Sequence, residues 1–429
     1  MVFLVILLMI ALLFLGLPVA FGIAIAGVVG TVLEASWGSL FGIISTVPYR
    51  TMANYTWITI PMFVLLAEVV SKANITREVF FAASKWLGRL PGGLGQAAVI
   101  GSAAMGAICG SSGAAAATMA KVSIPELTRH GYDRSVAAGI VTVAGTLAIM
   151  IPPSITFIIY GILTENSIGK LLIAGIIPGL MTTFMYIFGI LFWNKVKPGL
   201  IPPPMEGITW NDRWSSLKDI WPFLILAGAI LVFLYTGWAT PTEASALGAL
   251  TSVILVLVLK RCDFKDINAA ARATIKTSTM MFTIFIGAMI FGYFLTITNV
   301  AQNLITYVGD LSVERWVITA IVMLIYLVMG CLMDGSAILF ITIPISYPLM
   351  MSLGYDPIWF GVIVVKIIEI GLITPPVGLN AYIVSGTADV PLAEVFRGTA
   401  MLLVFEVLSL VLLVTFPILS TWLPGKMSI

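Results

Sequence analysis

Gly131-Tyr132-Asp133 recurs as Gly354-Tyr355-Asp356, 223 residues further along the chain. The same displacement carries Pro18 to Pro241, Pro125 to Pro348, Pro152-Pro153 to Pro375-Pro376, Thr164 to Thr387 and Gly175 to Gly398. An ordered set of matches at one period marks an internal duplication, which restricts the architecture before any single motif is read. The halves run over 1–198 and 219–429. A polar, proline-rich linker over 199–218 joins them; it holds Pro202-Pro203-Pro204 and Asn211-Asp212-Arg213 and reads as a loop.

Neither half can fold around an aqueous core. Apolar residues make up 60% of the chain and charged ones 10%, with a mean hydropathy of +1.08, so lipid is the natural solvent. A membrane helix needs about 20 largely apolar residues, and such runs recur: Val2 to Leu15, Ala20 to Leu33, Leu171 to Trp193, Ile220 to Tyr235, Ala244 to Leu259 and Thr399 to Leu419. Barrel strands would be about half as long and alternating, which leaves an all-α integral membrane protein. The first run has no basic residues before it and continues through Leu17-Pro18 into more apolar sequence, so it reads as a retained helix and not a signal peptide. Cys109, Cys262 and Cys331 are scattered in apolar surroundings and read as small core residues.

Charge orients the halves. The loop at Gly131 carries Arg129, His130 and Arg134, whereas the loop at Gly354 has no basic residue, so the first is expected in the cytoplasm and the second outside. The halves are then inverted, with both termini periplasmic. This topology places 17 of the 22 Lys and Arg residues inside, Arg50, Lys170, Arg315 and Lys426 outside, and Lys366 within a span.

Within each half small residues interrupt an apolar run, at Met105 to Met119 and at Met329 to Ile338. The flanking segments are too short to cross twice with a proper loop, so each reads as a re-entrant hairpin whose tip is buried in protein or lines a cavity. Gly110, Ser111, Ser112 and Gly113 supply permissive backbone and oxygens at the first tip, and Asp334, Gly335 and Ser336 at the second. A span broken by a double proline follows each hairpin, at Ile151-Pro152-Pro153-Ser154 and at Thr374-Pro375-Pro376-Val377-Gly378-Leu379-Asn380. Adjacent prolines remove two donors and disfavour helix before them, so the helix unwinds and restarts. Freed carbonyls can ligate a cation such as sodium, and half-helix N-termini can face an anion. A tip beside a break, twice over, implies two ion sites with a substrate site between them.

Taken together, the Gly106 to Gly113 segment, Pro125 with Gly131-Tyr132-Asp133, Ile151-Pro152-Pro153-Ser154, Pro241-Thr242-Glu243-Ala244, Met333-Asp334-Gly335-Ser336 and Thr374 to Asn380 resemble the large membrane subunit of a tripartite ATP-independent periplasmic (TRAP) transporter. The resemblance covers essentially the whole chain. It implies an elevator-type carrier of the bacterial inner membrane, in which a transport domain holding both hairpins and both discontinuous helices moves against a scaffold. It also implies sodium symport, a separate small four-helix membrane subunit, and a periplasmic binding protein that delivers a carboxylate such as a C4-dicarboxylate or sialic acid. Carried over by position, Ser111, Ser112 and Gly113 with Pro152 and Pro153 form one sodium site. Asp334, Gly335 and Ser336 with Thr374, Pro375 and Gly378 form the other, and the substrate lies near Gly110, Ser112, Ser154, Ser336 and Asn380. A stand-alone divalent-anion/sodium symporter is the alternative.

Other features have plainer readings. Ala114 to Ala117 let helices pack closely. Lys366 and Glu369, one turn apart, read as a self-neutralising ion pair, with gating or substrate attraction as the alternative. Glu68 and Glu406 are expected toward helix ends or interfaces, and His130 at the surface. Ile75 to Trp86 and Phe264 to Lys276 look like interfacial amphipathic helices. Trp37, Tyr55, Trp57, Trp210, Trp214, Trp238 and Trp422 read as anchors at the headgroups. No phosphate loop and no His/Cys/carboxylate cluster suggest an enzyme, and a channel needs no paired hairpins. Nothing points to a nucleic-acid partner.

Overall fold

The computed structural model describes residues 1–310 and 313–427, and over that range the regular structure is helical throughout. The first half holds α1 (Val2–Phe14), α2 (Val19–Glu34), α3 (Trp37–Met52), α4 (Thr59–Lys72), α5 (Ile75–Leu87), α6 (Gly93–Cys109), α7 (Ser112–Arg129), α8 (Arg134–Met150), α9 (Ile155–Thr164), α10 (Ile168–Ala174) and α11 (Ile176–Val196). The linker holds α12 (Trp210–Leu217), and the second half holds α13 (Trp221–Thr236), α14 (Pro241–Val258), α15 (Phe264–Ile297), α16 (Val300–Asp310), α17 (Arg315–Gly330), α18 (Gly335–Ser352), α19 (Pro357–Leu372), α20 (Leu379–Ala388), α21 (Leu392–Thr415) and α22 (Ile418–Thr421). Seven helical segments are long and apolar enough to cross a bilayer, and an eighth if α12 and α13 form one span bent by 53°. Phe3, Phe14, Phe184 and Val404 are exposed on the chain's outer surface, as lipid-facing side chains should be.

Local chemistry explains most boundaries. The α7 and α18 bounds stand 223 residues apart at both ends. Capping boxes start α14 (Thr240 with Glu243) and α15 (Asp263 with Asp266). The double prolines separate α8 from α9 and α19 from α20, and both Pro-Pro bonds are cis. The halves differ where α3, a short 3₁₀ turn at Tyr55–Ile58 and α4 occupy the positions equivalent to one continuous α15.

Several expectations need correction. The linker carries the helix α12, started by a capping box of Thr209 and Asp212 that the prolines upstream obscured. It is also fastened to the first half: the Met205 amide donates to the Gly88 carbonyl at 2.7 Å, and the Trp86 indole to the Arg213 carbonyl at 3.2 Å. Phe264 to Lys276 is no separate surface helix but the first turns of α15, whose 34 residues at 1.5 Å each span about 50 Å. Leu171 to Trp193 is divided at Gly175 into α10 and α11. Trp57 is no anchor: it is 4% exposed, with its ring centroid 4.1 Å from that of Phe285.

One apolar core is built on α6–α8, α11, α20 and α21, and a larger one runs through α2, α4, α9, α10, α13–α15 and α17–α19. The first depends on a helix crossing with no room for side chains. A Cβ on Gly139 of α8 would lie 2.1 Å from the Gly398 carbonyl carbon on α21, and one on Gly398 would lie 1.8 Å from the Ser135 carbonyl oxygen. Ala115 and Ala116 are fully buried, and Gly145 of α8 packs on Ala116, so these two residues pack helices, whereas Ala114 is exposed and Ala117 half-buried.

Candidate functional site

Helices α6 and α7 meet at Gly110-Ser111, and α17 and α18 at residues 331–334, so each pair is a hairpin with a short turn. Gly110 can make its turn because it has no Cβ. Its φ is +60°, and a Cβ there would sit 2.2 Å from the Pro153 carbonyl oxygen. The Ile155 amide donates to the Gly110 carbonyl at 3.3 Å, and the Gly378 amide to the Cys331 carbonyl at 3.2 Å. Each tip is therefore bonded through backbone to the helix break that follows it. These bonds bring Gly110 beside Pro153 and Cys331 beside Gly378.

The two tips also meet each other. A cavity of about 40 Å³ is lined by Gly110, Ser111 and Ser112 from one tip and Asp334, Gly335 and Ser336 from the other. Ile149, Ile155, Thr156, Met281 and Leu372 complete the wall. Both α7 and α18 begin there, presenting partial positive charge, and α6 ends there with its carbonyls, presenting partial negative charge. Among the described residues Asp334 is the cavity's sole carboxylate; its Oδ2 accepts from the Ser336 amide at 3.0 Å, capping α18, while its other oxygen makes no hydrogen bond to them. Ser111 caps α7 without such a bond, leaving its hydroxyl available.

Some expected residues stand apart from this cavity. Ser154 is buried and caps α9: its hydroxyl donates to the Ile149 carbonyl at 2.5 Å and accepts from the Phe157 amide at 3.2 Å. Asn380 is buried in the first turn of α20, with neither side-chain polar atom hydrogen-bonded among the described residues. The Thr374 hydroxyl is spent on the Ile370 carbonyl at 2.5 Å, and Pro375 is exposed. Gly113, Pro152, Pro153 and Gly378 lie beside the tips but do not line the cavity. Thr156 does line it, and sequence reading missed it; the signal available was a hydroxyl in the first turn after a double proline.

The second polar cluster is larger than a pair. Lys366 Nζ donates to Glu369 Oε2 at 2.8 Å, to Glu406 Oε2 at 2.8 Å and to Thr182 at 3.0 Å, and all four residues are fully buried. Glu406 lies at a helix interface as expected, but in the middle of α21 and inside this network; it is the lone carboxylate of an otherwise apolar run, which was the signal for it. His130 lies half-exposed at the end of α7, with Nδ1 2.9 Å from the Glu126 carbonyl. Among the described residues no group of three or more His, Cys, Asp or Glu side chains is arranged to hold a metal.

Comparison with known proteins matches residues 6–419 to the family model described as "Tripartite ATP-independent periplasmic transporter, DctM component". The C4-dicarboxylate TRAP transporter large permease protein DctM of Pseudomonas aeruginosa is 34% identical over 378 residues, covering 88% of both chains. The sialic acid TRAP transporter large permease protein SiaM of Vibrio cholerae is 28% identical over 414 residues, covering 96% of both. Among solved structures, the YdaH transporter of Alcanivorax borkumensis matches over 90% of both chains with a TM-score of 0.60 and 14% identity, a likeness of fold.

Proposed function

Since the chain belongs to the DctM family of TRAP transporter large permeases, and is thus a multi-pass transporter subunit and no enzyme, we propose that it carries a carboxylate inward across the bacterial inner membrane by sodium symport. The observation that carries this reading is the cavity shared by the two hairpin tips, where hydroxyls, a carboxylate and helix termini of both signs converge. Sodium takes hard oxygen ligands, which Asp334, the Ser111, Ser112 and Ser336 hydroxyls and the carbonyls around each break provide.

About 40 Å³ admits an ion or a few waters but falls well below the several hundred Å³ typical of an organic-ligand pocket. The substrate therefore enters when the tips separate, and its negative charge is met by helix N-termini and bound sodium. Halves 1–198 and 219–429 are inverted repeats with periplasmic termini, and the hairpins and broken helices travel together as the elevator. A small membrane subunit and a periplasmic binding protein complete the assembly. Relatives that carry C4-dicarboxylates and sialic acid favour one of these as the cargo.

Proteoliposomes holding this chain, a co-expressed small subunit and the cognate binding protein test the proposal. Uptake of labelled substrate should require an inward sodium gradient, and Ser112→Ala and Asp334→Ala should each weaken sodium activation. Unchanged activation in both variants would remove the site assignment, and uptake without the added binding protein would point to a stand-alone symporter.

A further inference from the structure

Away from the tips, α8, α11, α19 and α21 enclose a polar cluster with no exposure to solvent. Its titratable members are Lys366 and Glu369 on α19, Glu406 on α21 and Tyr186 on α11; Thr182 of α11 and Thr146 of α8 are its neutral members. The other charges on these helices, Arg134, Lys195, Glu394 and Arg397, stand nearer their ends. The cluster thus contains one ammonium and two carboxyls, and both carboxyls touch the same nitrogen at 2.8 Å.

Full ionisation would leave a net negative charge in the interior of a membrane protein, beyond the reach of solvent, and an uncompensated buried charge is strongly disfavoured. The hydrogen bonds indicate how it is neutralised. Glu406 Oε2 accepts from both Lys366 and the Tyr186 hydroxyl, whereas Glu369 accepts from Lys366 alone. Glu369 Oε1 and Glu406 Oε1 are buried with no hydrogen-bond partner among the described residues. An ionised Glu369 would leave an anionic oxygen entirely unsolvated; a protonated one would not.

We infer that this cluster is a proton-binding site, in which Glu369 and Glu406 hold one proton between them at neutral pH and Lys366 remains charged. Glu406, with two donors, is the anion, and the proton resides on Glu369 facing the unpartnered oxygens. The group is then neutral and docks α19 to α11 and α21 just ahead of the break at Thr374. The ligand is a proton, bound at a place separate from the cavity between the tips.

Infrared difference spectroscopy on the full chain reconstituted in lipid at pH 7 tests this, comparing wild type with Glu369→Gln. The expected result is loss of one carboxylic-acid C=O band with no change in carboxylate absorption. Should Glu369→Gln fail to fold, Glu406→Gln reads the same quantity, because Glu369 then becomes the sole counter-ion of Lys366 and gives up its proton. Loss of carboxylate absorption without loss of a carboxylic-acid band, in whichever variant folds, would show both groups ionised and overturn the inference.

Discussion

The backbone amide of Ile155 donates to the carbonyl of Gly110 at 3.3 Å, fastening the turn of the first hairpin to the start of the helix after the first double proline. The bond exists because Gly110 adopts φ +60° and has no side chain to push Pro153 away. Gly110→Ala places a Cβ against the Pro153 carbonyl and imposes a left-handed conformation that alanine disfavours by about 1 kcal/mol or more. The expected outcome is a protein that still inserts but transports poorly, measured as a fall in uptake of at least tenfold beside a modest drop in the thermal unfolding midpoint.

Asp334 both caps α18 and faces the cavity, and these roles separate by substitution. Asn caps a helix about as well as Asp, whereas Ala forfeits about 1 kcal/mol. Asp334→Asn should therefore keep the unfolding midpoint while raising the sodium concentration for half-maximal uptake; Asp334→Ala should lower the midpoint as well. Equal sodium dependence in wild type and Asp334→Asn would reduce Asp334 to a cap.

Lys366 is the single cation satisfying two buried carboxyl groups. Removing one partner of a buried pair costs about 3–5 kcal/mol, because the remaining charge has nothing to meet it. Lys366→Met should lower the unfolding midpoint strongly, and adding Glu369→Gln with Glu406→Gln should recover a large part of the loss. Thermal unfolding in detergent checks both.

The α8–α21 crossing at Gly139 and Gly398 tolerates no added atom. Gly398→Leu must push the helices apart and open the core around them, at a cost of at least the 1–3 kcal/mol of ordinary overpacking. Reduced folded yield is expected, whereas Leu at Gly228, where nothing lies near a Cβ, should be silent.

Tyr132, in the loop after α7, accepts the Gly95 amide at 3.1 Å; burial pushes its hydroxyl up to about 12, against a smaller opposing effect of that amide. A value raised above the unfolded one of about 10 means the contribution is fully present below pH 10 and lost as pH rises to 12. Midpoints of wild type and Tyr132→Phe should therefore converge over that range, and parallel curves would show Tyr132 contributes no alkaline sensitivity.

Hydropathy and proline punctuation were enough to specify helices, hairpin turns and breaks, because helix length in lipid and the missing proline amide are local constraints. That is why Gly110, Ser112, Asp334 and Ser336 could be named from the sequence as hairpin-tip residues. Which polar side chains face the cavity was not readable from residue type: Ser154 and Thr374 spend their hydroxyls on carbonyls at the end of the preceding helix, and Asn380 is buried without lining the cavity. Two of the partners of Lys366 were equally hidden, since Glu406 comes 40 residues later and Thr182 lies in the other half. Segment length, polarity and backbone freedom are written into neighbouring residues. Only the crossing of distant helices decides which buried charges meet.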